Sequence, residues 1–505
     1  MININCSCRM VGSLIGVLMI TTIVENLYFL NIFITFIAIV EIIISNKQSE
    51  SAIAWILIIL VFPLIGIGLY ILIGVDWRKW KRFKLVSQLP EDFFEAHLSK
   101  VLNQQKKLIN ESELKDDESM QDVLKNVNLL LYSNQEPLTL DNQVKVYYSG
   151  EEHFRDLQND LRNSETSIHM EYFIWRSDKL GEEIKEILIE RALNGVEVKL
   201  IFDGLGSFGR ISFKYRRELR KAGIEFSYFL DLNRLIARLK INYSNHKKIV
   251  VIDGRIAYTG GMNIGDEYIT GGRWFDSWRD THVRLNGGST AILQTIFLAD
   301  WFNCKKEMLI KDDFYPIQDE EISGIPIQIA VSGPDSKWGS IELLYFNMIT
   351  NAKHEILIQS PYFIPDDAIL KAMESAALCG VDVTLMMTGV ADKKIPWWSA
   401  FTYFEPLLEA GVKILHYNTG FLHSKVIVMD NMVATVGTCN MDIRSFKLNY
   451  EVNTVFYDKE LSKQLNNQFK EDMRNCREVT LKEIQSLSLF KQFRNSFCRI
   501  FSPLM

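Results

Sequence analysis

Two stretches of this chain carry the residue types that move phosphate groups. Residues 245–263, NHKKIVVIDGRIAYTGGMN, present His246, Lys248, Asp253, Gly260 and Asn263. Residues 422–440, LHSKVIVMDNMVATVGTCN, present His423, Lys425, Asp430, Gly437 and Asn440 at identical offsets, 177 positions later. Both read H-x-K-x4-D-x6-G-x2-N. In an extended strand side chains alternate between faces, so His246 projects with Lys248, and His423 with Lys425. Lysine supplies charge to a phosphate and an asparagine amide supplies donors. A histidine beside them serves as nucleophile or as acid and base. Two histidines are what a two-step displacement at phosphorus requires: one attacks, the other protonates the leaving oxygen.

Such a histidine needs an acceptor on its second ring nitrogen. Glu451, in NYEVNTVF, lies 28 residues after His423; Asp280, in WRDTHVRL, lies 34 after His246 and begins a matching strand. Glu451 is therefore expected to hold His423, with Asp280 in the corresponding place of the first copy. Asp253 and Asp430 belong to the motif and are grouped with its catalytic residues. Their strand parity is opposite to that of the histidines, so they are expected to anchor the motif through ion pairs or turn hydrogen bonds. Asn263 and Asn440 are expected around the phosphate oxygens. Of the other histidines, His97 and His153 read as solvated and His169, His354 and His416 as packing or capping, while His282 stays open. No His, Asp and Glu set has metal-ligand spacing, so neither metal nor cofactor is expected.

The elements that must position these residues alternate between short apolar strands and amphipathic helices. SIHMEYFIW (167–175), VEVKLIFDG and IEFSYFL read as strands, with helices between them. The order returns later. EILIQSPYFIP (355–365) matches through a shared Tyr-Phe-Ile, GVDVTLMM (380–387) matches GVEVKLIF (195–202), and LLEAGVKILHY (407–417) matches LRKAGIEFSYF (219–229). The expected fold is α/β: two similar domains, 141–325 and 326–505, packed about a pseudo-twofold axis that brings His246 and His423 to one site.

Ahead of them, residues 1–84 read as a membrane anchor and 85–140 as a polar linker with one or two helices. Residues 52–74 form 23 positions without a charge, about 35 Å as a helix against a bilayer core of about 30 Å. Residues 27–45 are long enough despite Glu41, so two spans are expected; the short apolar piece 10–24 extends the first span, lies at the interface or forms a third. Arg78, Lys79, Lys81, Arg82 and Lys84 follow the second run and predict the cytoplasmic side for what comes after. At the other end, Phe490, Phe493, Phe497 and Phe501 share one helical face, with Lys491, Arg494 and Arg499 elsewhere. That helix reads either as packed on its domain or as interfacial, meeting anionic lipid.

Bulk composition narrows the classes. A net charge of −6 over 505 residues lacks the basic footprint of a nucleic-acid binder. Seven scattered cysteines without C-x-x-C spacing argue against a disulfide framework.

The duplicated H-x-K-x4-D resembles the signature of the phospholipase D superfamily. The apolar amino terminus, SPYFIPD, GFLHSK and GTCNMDIRSF make the chain similar to the bacterial cardiolipin synthases, with Cys439 where alanine is expected. That resemblance implies a multi-pass protein of the bacterial cytoplasmic membrane whose catalytic domains lie on the cytoplasmic side. It implies transfer of a phosphatidyl group between two phosphatidylglycerols, with release of glycerol, through a phosphohistidine on His246. Within the superfamily, a lipid hydrolase or another phosphatidyltransferase uses the same histidines. A nuclease is disfavoured by the acidic balance and the anchor, and an inactive scaffold by the two intact motifs.

Overall fold

A computed structural model of the chain describes residues 4–45, 49–74, 118–230, 242–272, 275–309, 311–316 and 324–502. The basic stretch 76–84, His97 and most of the expected linker lie outside these residues. The chain divides into an amino-terminal unit and a large α/β unit.

In the amino-terminal unit, residues 10–24 are continuous with the first span: one helix runs Ile4–Ile44. Its stretch Glu25–Ile44 is long and apolar enough to cross a membrane. The uncharged run that follows is not one crossing helix. It is Ser49–Val61, then Pro63–Leu69, then the π-helical turn Tyr70–Gly74. Proline has no N–H and its ring clashes with the carbonyl one turn back, so Pro63 starts a new helix. The bend is sharp enough that a Cβ on Gly66 would lie 2.8 Å from the Ile58 carbonyl oxygen. Ile42, Ile59 and Tyr70 pack together, and the Tyr70 hydroxyl bonds to Glu41, the charge that interrupts the first apolar run.

The α/β unit is built on one sixteen-stranded sheet. From its middle, one half runs Leu138–Tyr147, His282–Asn286, Ile256–Gly260, Lys248–Ile252, Ser167–Tyr172, Glu197–Asp203, Glu225–Phe229. The other runs Ile325–Ser332, Asn449–Phe456, Val433–Gly437, Val426–Met429, Glu355–Gln359, Asp382–Thr388, Lys413–Tyr417, with Cys476–Glu478 at its edge. The two orders are the same. They meet where Leu138–Tyr147 pairs antiparallel with Ile325–Ser332, which places a pseudo-twofold axis between those strands. Each half therefore has its own core under its own helices, around Phe154, Leu200 and Tyr258 in one and Leu344, Ile358 and Leu385 in the other. A third cluster, with Val251, Val283, Ile327, Val428 and Val452, draws on both halves.

Two expectations change here. The helix expected in the linker segment, Glu118–Asn134, is part of the fold and not a tether: its Val123, Val127 and Leu130 enter the core of the second half. The shared Tyr-Phe-Ile is also out of register. Ser167 pairs with Glu197 and Glu355 with Asp382, and Trp175 bridges Ile264 as Phe363 pairs with Met441. Tyr172 thus corresponds to Ser360, and the letters match two positions away from the backbone.

Candidate active site

Each motif begins where a two-residue strand from one half pairs with the other half. Ser244–Asn245 runs parallel to Asn449 and Tyr450, and Phe421–Leu422 runs parallel to Trp278 and Arg279. The next residues are the histidines. The His246 N–H donates to the Tyr450 carbonyl at 2.9 Å, and the His423 N–H donates to the Arg279 carbonyl at 2.7 Å.

This backbone crossing fixes the dyads, and it corrects the expected pairing. Glu451 Oε2 lies 2.9 Å from His246 Nδ1, and Asp280 Oδ2 lies 2.6 Å from His423 Nδ1. Each histidine is oriented by a carboxylate of the opposite half. Asp280 and Glu451 do occupy equivalent positions, because Gly260 pairs with His282 as Gly437 pairs with Asn453. The motif glycine is what lets that carboxylate strand come close: a Cβ on Gly437 would fall 2.6 Å from Asn453 Cα, and one on Gly260 would fall 2.6 Å from His282 Cα. Glu451 is further held by the Thr438 hydroxyl and by Asn449 Nδ2 at 3.1 Å.

With each dyad's Nδ1 engaged, Nε2 is the nitrogen left for chemistry. Lys248 Nζ donates to the His246 carbonyl at 2.6 Å, and Lys425 donates likewise to that of His423. Both histidines and both lysines are buried. Burial, which disfavours the charged form, pushes Lys248 down to about 7 and Lys425 down to about 8. Burial and Lys425 bring His423 to about 4, with Asp280 opposing them. Burial, followed by the charges of Lys248, Lys425 and Lys393, holds His246 well below its usual value. Burial raises Glu451 to about 7. The lysine of each half depresses the histidine of the other, so the four groups form one electrostatically linked site.

Asp253 and Asp430 stand at the far ends of their strands. Asp253 accepts from the N–H groups of Glu165, Thr166 and Ser167 at 2.8–2.9 Å. Asp430 accepts from those of Lys353, His354 and Glu355 at 2.8 Å. Both have positive φ, +53° and +51°. They anchor turns at the strand ends away from the motif histidines. The asparagines also diverge. Asn263 accepts from the Ile174 N–H at 3.0 Å and donates to the Tyr268 hydroxyl at 2.8 Å, whereas the buried Asn440 Oδ1 has no hydrogen-bond partner among the described residues.

Sequence reasoning missed the ion pairs behind the dyads. Lys247, on the strand face opposite His246, pairs with Asp300; Arg279, preceding Asp280, is bidentate to Asp472 at 2.8 and 3.1 Å. Asp300 and Asp472 sit on equivalent helices, Gly288–Lys305 and Lys459–Met473. A strongly basic residue beside a motif histidine in one half, and beside the carboxylate in the other, was the available signal. His153 is not solvated: it is buried against His282, ring centroids 4.2 Å apart.

Comparison with known proteins agrees with this architecture. A family model described as "Cardiolipin synthase, PLD-like domain" matches residues 157–273 and 345–473, one segment in each half. A second, described as "Phospholipase_D-nuclease N-terminal", matches residues 33–74. A protein of Geobacillus kaustophilus named cardiolipin synthase is 40% identical over 94% of this chain and 92% of its own. One of Bacillus cereus named cardiolipin synthase 2 is 38% identical over 92% of this chain and 88% of its own. The crystal structure of a Haemophilus influenzae phosphatidylserine synthase shares the fold at 13% identity, with TM-score 0.58 over 75% of this chain and all of that one. By sequence identity along nearly its whole length, the chain belongs to the cardiolipin synthase family of phospholipase D-like proteins.

Proposed function

We propose that the chain joins two phosphatidylglycerol molecules into cardiolipin and glycerol. The observation that carries this reading is the pair of crossed dyads around one electrostatically linked site, His246 with Glu451 and His423 with Asp280. His246 Nε2 attacks the phosphorus of the first lipid, the N–P bond forms, and the P–O bond to glycerol breaks. His423, charged once the anion is bound, gives its proton to the departing oxygen. Neutral again, it takes the proton from a hydroxyl of the second lipid, whose oxygen attacks phosphorus and releases His246. Lys248, Lys425 and Asn440 receive the phosphate oxygens, and no cofactor takes part.

The surroundings support the division of labour that the family resemblance implies, His246 as nucleophile and His423 as acid. The charge and hydrogen bond of Asp280 both raise the proton affinity of His423, while Lys393 adds to Lys248 and Lys425 in lowering that of His246. The residue that more readily keeps a proton is the acid. We place the protein in the bacterial cytoplasmic membrane, held by Glu25–Ile44, with the bent run Ser49–Gly74 as a second intramembrane element and the α/β unit in the cytoplasm.

Incubating the purified chain with labelled phosphatidylglycerol tests the reading. Cardiolipin and glycerol in equal amounts are expected. Phosphatidic acid as the main product would make the chain a hydrolase.

A further inference from the structure

The helix Leu489–Arg499 is amphipathic, yet it turns its apolar face outward. An amphipathic helix of a water-soluble domain puts that face on the core. Here Asn495 and Cys498 are buried against the body, while Phe490, Phe493 and Phe497 are 75%, 70% and 51% exposed. The helix is held in this orientation by polar and cationic contacts. Arg494 lies over the Trp398 ring at 4.4 Å, Arg499 over Tyr403 at 4.6 Å, and the Ser399 and Ser502 hydroxyls are 3.1 Å apart.

The segment it sits on borders the site. Asp392 accepts from the Tyr362 hydroxyl at 2.6 Å and Lys393 lies over the Tyr362 ring; the next residue, Phe363, pairs with Met441, which follows the motif's Asn440. In the same loop Val390 and Ile395 are 46% and 49% exposed. The pseudo-twofold places an equivalent loop on the other side, after Glu197–Asp203. It packs Gly206 on Phe173, whose ring is 4.8 Å from that of His246, and exposes Leu205, Phe208 and Phe213. Large apolar side chains are therefore exposed on segments next to the site in both halves. Exposed apolar surface of this extent, concentrated around a site, marks a binding face.

We propose that this rim rests on the surface of an anionic bilayer and sets the mouth of the site at the headgroup level. Aromatic side chains interleaved with Lys393, Lys394, Lys491 and Arg499 fit a negatively charged lipid interface, where rings enter the acyl boundary and cations meet phosphates. The proposal rests on the reading of the substrate as a membrane lipid, which it supplies with a path: a headgroup reaches the histidines without its acyl chains leaving the bilayer.

The test uses the full chain in nanodiscs, with a fluorescent amino acid placed by stop-codon suppression at position 493, 208 or 255. Arg255 is exposed in the turn at the opposite end of the motif strand and serves as the control. Lipids spin-labelled near the headgroup are expected to quench positions 493 and 208, more in phosphatidylglycerol than in phosphatidylcholine discs, and to leave 255 to aqueous iodide. Equal behaviour at all three positions overturns the proposal. So does concentration-dependent shielding of 493 and 208 from both quenchers, which would assign the rim to a second copy of the chain. A Phe490→Ser, Phe493→Ser, Phe497→Ser variant is expected to need about tenfold more phosphatidylglycerol per unit bilayer surface for half-maximal rate. Its turnover of dispersed short-chain phosphatidylglycerol should be unchanged; loss there as well would show a structural effect and refute the role. Lipid quenching without any cardiolipin would leave the docking intact and remove the substrate reading.

Discussion

At the scale of single residues, the crossed dyads make separable predictions. Glu451→Gln leaves His423 with its partner and replaces the acceptor-only carboxylate that fixes the His246 tautomer with an uncharged amide that can also donate. The rate should fall by about 10² to 10⁴. Label from phosphorus-labelled lipid on a quenched enzyme, acid-labile and base-stable, should form slowly or not at all. Asp280→Asn should slow turnover comparably, yet still give labelled protein from a lipid with a good leaving group, because only the acid is impaired. Label appearing on His423 would exchange the two roles.

The lysines make a pH prediction. Burial lets Lys248 and Lys425 hold their protons only up to about 7 and about 8. A bound anion raises both, so binding takes up protons above these values. Inorganic phosphate, followed by protection of the α/β unit against thermal unfolding, should bind best below pH 7. Its Kd should then rise as pH climbs toward 9, by up to about tenfold per unit for each lysine that titrates. A Kd that is flat across this range would remove the lysines from the anion site.

At the scale of elements, the turn aspartates separate structure from chemistry. Asp253→Asn or Asp430→Asn weakens three backbone N–H hydrogen bonds at the start of a neighbouring strand. A loss of stability of about 1–3 kcal/mol is expected, with activity per folded molecule within a few-fold of the parent. A folded variant without activity would return these residues to the chemistry.

How far the sequence reached is also clearest here. The duplication of the α/β unit, the equivalence of Asp280 with Glu451, and the turn hydrogen bonds of Asp253 and Asp430 were legible because period-two alternation and fixed offsets are backbone properties. The partner of each carboxylate was not: two similar halves offer each histidine two chemically equal choices, and only the pairing of Ser244–Asn245 with Asn449 and Tyr450 decides between them. The Tyr-Phe-Ile match misled because it compared side chains, whereas the register aligns Trp175 with Phe363. Glu118–Asn134 looked like linker because the core it completes lies more than 200 residues downstream. Pro63 was in plain view, and its cost to a straight span outweighed the absence of charge.

At the scale of the whole molecule, the positive stretch Arg78–Lys84 predicts a cytoplasmic α/β unit. A carboxy-terminal reporter that works only outside the cytoplasm should be silent in intact cells, and activity there would reverse the orientation. The crossing of the dyads also gives the nucleophile a history. His246 leaves the ribosome 205 residues before the carboxylate that orients it. The strand bearing that carboxylate, Asn449–Phe456, must still enter the middle of the sheet beside Ile325–Ser332. A first half synthesised alone, or a chain broken off before residue 451, thus carries a histidine with no fixed tautomer. Such a nascent or truncated chain is expected to lack an oriented nucleophile until the strand Asn449–Phe456 is made and seated in the sheet.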